Sequence, residues 1–148
     1  MNKLVSQEKG FTLIEQLMIL LVLSILLSII VGKVPSILES AEAKKQMNVI
    51  KQDLQLASYT AFIEKTGVDV HFHQSNLSYQ VIVKNKDRVI ASYQNKNGSI
   101  QQSTFQQPIH FNVNGNPSSG GSLILQFGSQ TYKLTVYLGS GRIHVQKQ

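Results

Sequence analysis

Hydrophobic and polar positions fall into three successive regimes along the chain. From Phe11 to Gly32, 22 residues, Glu15 is the one charged side chain in an otherwise largely aliphatic run. At ~1.5 Å per residue, a helix of that length spans the ~30 Å hydrocarbon core of a bilayer. Pro35 lacks an N–H and clashes with the preceding turn, so it should kink or locally break the helix. Beyond it the pattern turns amphipathic. Met47, Ile50, Leu54, Ala57 and Ala61 recur at helical spacing, with Val49, Leu56 and Ile63 widening the stripe. Lys44, Lys45, Gln52, Asp53 and Glu64 occupy the opposite face, and Gly67 offers a C-terminal stop.

From Val68 onward the period is two. The runs VDVHFH, SYQVIV, RVIASY, IHFNV, SLILQF, TYKLTVYL and RIHVQ are short and β-rich, and turn-forming segments such as QSN, NKD, NKNG, GSQ and GSG separate them. The short separators predict hairpins. The expected fold is α+β: a long N-terminal helix, half transmembrane and half amphipathic, packed on a C-terminal antiparallel β-sheet.

Glu15 is the anomaly in this scheme, because a carboxylate at bilayer depth costs several kcal/mol unless it is neutralised or finds a partner. A secretory signal peptide would share the basic start, Lys3 and Lys9, but its apolar core would be shorter. The small-residue pair Ala41 and Ala43 would place the cut so late that a quarter of the chain was lost. An uncleaved signal anchor carrying a surface binding module is a further alternative.

The stretch EKGFTLIEQLMILLVLSILLSII resembles the class III leader and N-terminal helix of type IV pilins and pseudopilins. The resemblance implies that residues 1–10 are a prepilin leader, 11–32 the transmembrane and filament-core helix, 33–67 the amphipathic helix and 68–148 the β-rich head. It implies cleavage between Gly10 and Phe11 by a membrane-embedded prepilin peptidase, and N-methylation of Phe11. The new amine is then a cation near neutral pH, and Glu15 is its counter-charge, in the same helix or in a neighbouring subunit. Implied partners are the other minor and major pilins of a filament, the peptidase and a membrane assembly platform. Implied localisation is single-pass in the cell membrane, then a filament at the cell surface.

Composition changes this picture little. The chain has no cysteine, which excludes a disulfide framework and thiolate metal sites. Asp69, His71 and His73 alternate on one strand in a pattern able to ligate metal, but no further ligand can be assigned, and the expected reading is a solvated outer face with Val68, Val70 and Phe72 turned inward. His110 and His144 lie on other strands. No nucleophile motif or phosphate-cradling loop is present, so no catalytic residues, metal or cofactor are expected, and the chain reads as the substrate of an enzyme rather than an enzyme.

Net charge is +6, and residues 68–148 hold seven Lys or Arg against two Asp. Lys84, Lys86 and Arg88 cluster at one predicted turn, where a weak contact with DNA phosphates, with Tyr79 or Tyr93 for stacking, competes with a basic turn that keeps an edge soluble and suits anionic cell-wall polymers. The closing GGSLILQFGSQTYKLTVYLGSGRIHV is similar to the terminal hairpins of H-type minor pseudopilins. The small size and Lys/Asn/Gln/Ile-rich character most resemble the D-type minor pilins of Gram-positive competence systems. The expected function is therefore a structural role in a competence filament for uptake of DNA, and a type II secretion pseudopilus is the alternative.

Overall fold

The computed structural model describes residues 11–73 and 76–148, with the side chains of residues 29–35 excepted. Among these described residues one helix, α1 (Leu13–Glu64), is followed by eight strands. Thr12 begins the helix as an N-cap: its carbonyl accepts the amides of Glu15 and Gln16 at 3.1 and 3.2 Å, and its hydroxyl accepts from Glu15 N at 3.4 Å. The helical assignment continues through Pro35, contrary to the expected break. A proline deletes a single i→i−4 bond, and the turns on either side keep theirs.

The chain divides into two units, the first ending at Leu38 and the second running from Glu39 to Gln148. Within the first, the large apolar side chains from Phe11 to Leu27 are all exposed, from 44% at Ile19 to 81% at Leu13. Ser24 turns its hydroxyl back onto the Leu21 carbonyl at 2.8 Å, which satisfies it within the helix. Among the described residues no helix is long and apolar enough to cross a membrane. Residues 29–32 of the expected span lie outside the described side chains, and the leader, with Lys3, Lys9 and Gly10, lies outside the described residues altogether.

In the second unit the expected stripe is the core-facing edge of the helix. Ala43, Met47, Ile50, Leu54, Ala57 and Ala61 are all at most 2% exposed. Leu56 and Ile63 do not widen it: they are 43% and 62% exposed, because the 100° step of the helix carries them to its outer side. The helix stops one turn earlier than Gly67. Lys65 takes the left-handed conformation (φ 50°), and the Thr66 amide closes onto the Ala61 carbonyl at 3.3 Å, a Schellman-type ending. Gly67 serves a different purpose, since a Cβ there would lie 2.8 Å from His110 Cε1.

The strands are β1 (Val68–His73), β2 (Leu77–Val83), β3 (Arg88–Asn95), β4 (Gly98–Ser103), β5 (Ile109–Phe111), β6 (Gly121–Phe127), β7 (Gln130–Val136) and β8 (Ile143–Lys147). They form two antiparallel four-stranded sheets, in the orders β3-β2-β1-β5 and β4-β6-β7-β8. The single expected sheet is therefore split. Four short separators make hairpins, joining β1 to β2, β2 to β3, β6 to β7 and β7 to β8. The fifth, NKNG, carries the chain from β3 of one sheet into β4 of the other. Alternating inward side chains close the core over the helix: Val68, Val70 and Phe72 on β1, Tyr79, Val81 and Val83 on β2, and Leu123, Leu125 and Leu134 on β6 and β7.

Candidate functional site

Two of the predicted sites lie at opposite ends of the helix. At its start, Glu15 is three residues beyond Thr12, so the segment TLIE is a capping-box sequence of the T-x-x-E type. The T-x-x-E spacing carries that signal in the sequence itself. The macrodipole is positive at this end, which favours the Glu15 carboxylate within its own helix. Among the described residues no cation pairs with it. Phe11, 69% exposed, sits immediately before the cap.

At the other end, the β2–β3 turn brings its cations to the helix. Lys86 Nζ lies 3.2 Å from Glu64 Oε2, and Arg88 pairs with Glu64 Oε1. Lys86, then Arg88, holds the Glu64 carboxyl below the ordinary carboxylate range. Lys84 lies 3.3 Å from Asp69 Oδ2. The three cations thus each have a carboxylate of this chain within reach. Tyr79 and Tyr93 do not form a stacking platform. Tyr79 is 1% exposed, stacks on Tyr93 with centroids 5.4 Å apart, and donates its hydroxyl to Asp53 Oδ2 at 2.5 Å.

The Asp69, His71 and His73 series separates. Asp69 is buried rather than solvated, because β5 pairs with β1 and sets His110 opposite it, with Nδ1 2.5 Å from Asp69 Oδ1. His71 and His73 take no part, and among the described residues no three potential ligands could hold a metal ion. His144 is on β8, in the other sheet.

Sequence reasoning missed a second gathering of cations, none of which has a carboxylate partner among the described residues. A groove of about 450 Å³ runs between α1 and β8, lined by Lys44, Lys51 and Lys147 over Met47, Ile143 and Val145. On the other flank of the helix, Glu39 accepts the Ser129 amide at 2.7 Å and Glu42 accepts Gln46 Nε2 at 3.1 Å. The Ser129 amide holds the Glu39 carboxyl below its usual range.

No family model matches the chain. It is 32% identical to the competence protein ComGD of Bacillus subtilis (strain 168), an alignment of 148 residues that covers all of both chains. Among solved structures it is similar to the minor pseudopilin EpsH of the type 2 secretion system of Vibrio cholerae. That match has a TM-score of 0.55 and 14% identity, over 72% of this chain and 97% of the other, and it establishes the fold. A long helix capped ahead of a first-turn glutamate, a β head packed on its second half, and full-length identity to a competence protein converge, and the chain belongs to the ComGD family of competence minor pseudopilins, within the type IV pilins.

Proposed function

We propose that the chain is a structural subunit of a filament needed for uptake of DNA, held in the cell membrane by residues 11–32 before assembly and displayed at the cell surface afterwards. The observation that carries this reading is the helix from Leu13 to Leu27, apolar on every side and uncovered, with one carboxylate in its capped first turn. A helix of that kind needs a lipid or protein surrounding. Each is supplied in turn, by the bilayer and then by the helices of neighbouring pilins.

The leader is removed between Gly10 and Phe11 by a prepilin peptidase, and the new N-terminus is methylated. The Phe11 amine of an incoming subunit then meets Glu15 of its neighbour at a membrane assembly platform. Such a pair at ~4 Å is worth about 4 kcal/mol at an effective dielectric of 20, before desolvation is subtracted. It sets register more than it adds stability. Lys86 and Arg88 act within this scaffold by tying the head to Glu64 of the helix, Lys84 pairs with Asp69 inside the head, and DNA contact is not their task. The subunit performs no catalysis.

The test is Glu15→Val in cells that carry the peptidase. Mass spectrometry should find wild type and variant alike beginning at methylated Phe11, both in the membrane fraction, while the variant is absent from sheared filaments and transformation falls. An intact Met1 terminus in the wild type, or normal assembly of Glu15→Val, would refute the processing or the pairing respectively.

A further inference from the structure

Four strands lie at the edges of the two sheets, and three of them are protected against further pairing. The ladders of β3 and β4 are interrupted by register shifts, at Val81/Ile82 on the partner of β3 and at Ile100/Gln102 on β4. Bulges of this kind twist an edge away from incoming strands. β5 is three residues long, and the segment after it folds back over its open side through the bridge from Phe111 to Pro117 and the Ser118 amide on the His110 carbonyl at 2.8 Å. β8 has neither device. It pairs with β7 without a shift from Val136↔Ile143 to Tyr132↔Lys147.

The direction of its free hydrogen-bonding groups follows from the ladder. The Tyr137 amide donates to the Arg142 carbonyl, and the Gln148 amide to the Thr131 carbonyl. Antiparallel bonding alternates, so Arg142, His144, Gln146 and Gln148 face β7. The N–H and C=O of Ile143, Val145 and Lys147 face outward, beside the groove. Across it stand Lys44 and Lys51, whose ammonium groups have no partner among the described residues, and no carboxylate lines the groove. Lys147 reaches Ser40 Oγ at 3.4 Å, and Ile143 and Val145 give an apolar floor.

We propose that β8 is a docking edge, and that an extended acidic strand from another subunit of the filament adds to it, placing carboxylates against Lys44 and Lys51. This rests on the filament reading above. Backbone pairing gives the affinity, and alternate side chains give the selection. A second copy of this chain is the poorer donor. Among the described residues its only strand carboxylate is Asp69, buried and held by His110 and Lys84; Glu15 lies in the first turn of the helix, Asp87 in the β2–β3 turn between Lys86 and Arg88, and Glu39, Glu42, Asp53 and Glu64 each have a partner in their own chain. Nucleic acid fits less well, because the outward N–H and C=O groups match a peptide backbone, and Tyr132, 6% exposed, offers no face for a base to stack on.

Amide hydrogen exchange on the full chain in detergent micelles tests this with three probes: a ten-residue peptide alternating valine and glutamate, its valine and lysine counterpart, and a ten-nucleotide oligothymidylate. The glutamate peptide alone should protect the amides of Ile143, Val145 and Lys147. Val145→Pro deletes one outward N–H and leaves the β7 ladder whole, so it should weaken binding by about fivefold or more with the strand signal retained. Lys44→Glu with Lys51→Glu, remote from the edge backbone, should exchange the preference for the lysine peptide. Equal or better binding of oligothymidylate, no protection along β8, or undiminished binding by Val145→Pro would each overturn the proposal. None of these outcomes bears on Glu15-dependent assembly, which is read separately in filaments.

Discussion

Removing one oxygen atom tests how the helix is held in register over the first sheet. Tyr79 lies in the centre of β2, 1% exposed, between Phe72 at 5.0 Å and Tyr93 at 5.4 Å, and its hydroxyl donates to Asp53 of α1 at 2.5 Å. Tyr79→Phe keeps the ring and its packing and leaves the half-buried Asp53 carboxylate without its donor. A hydrogen bond to a charged acceptor is worth about 1.5–3 kcal/mol, which for a domain of this size lowers the melting temperature by roughly 5–15 °C. Thermal unfolding of the full chain in micelles, followed by the β signal, measures it, and Asp53→Asn completes a double-mutant cycle. Burial first, and then Asp53, pushes the Tyr79 phenol well above its ordinary range. The proton therefore stays on in the fold while the unfolded phenol loses it near pH ~10. The stabilisation is full below that pH and falls as pH rises above it, so wild type should lose stability more steeply than Tyr79→Phe in alkali. A cost below about 0.5 kcal/mol, or additive single effects, would refute the reasoning.

Acid should act on two other contacts. Glu39 and Glu64 have carboxyls lowered by the Ser129 amide and by Lys86 respectively, so their stabilisation is complete above the ordinary carboxylate range near ~4.3 and is lost as pH falls through the lowered values. Melting curves from pH 6 downward should decline less steeply for Glu39→Gln and Glu64→Gln than for wild type. Gly67→Ala would set a Cβ 2.8 Å from His110 Cε1, so the imidazole must move off Asp69. A shifted His110 ring resonance and a loss of about 1 kcal/mol are the expected results, read by NMR and denaturation.

The head helix shows how far periodicity carries. Its buried positions were legible because a 3.6-residue repeat leaves one line of residues facing the sheets, and Met47 to Ala61 lie on that line. The flanks were not. Lys44, Asp53 and Glu64 read as one solvated face, yet Asp53 and Glu64 lie toward the first sheet, where Tyr79, Lys86 and Arg88 hold them, and Lys44 lies toward β8. β4 is not legible in the sequence because GSIQQS is nearly all polar, and its pairing depends on what β6 offers across the ladder.

Local chemistry therefore fixed what depends on neighbours in the chain: an apolar run with a glutamate in its first turn, an amphipathic continuation, β runs with alternating inward residues, and the leader-and-helix pattern of a pilin. Partners far apart in sequence were decided by the tertiary structure. The separator NKNG looks like any hairpin turn, but β3 and β4 belong to different sheets, a choice made by core packing and not by the turn. The basic cluster at Lys84, Lys86 and Arg88 looked free because Asp69 and Glu64 are distant in the chain, and folding brings them within salt-bridge reach. Lys44 and Lys51, which have no such partner among the described residues, meet Lys147 only because the last strand closes the second sheet beside the helix, since charge is counted along a sequence but paired in space.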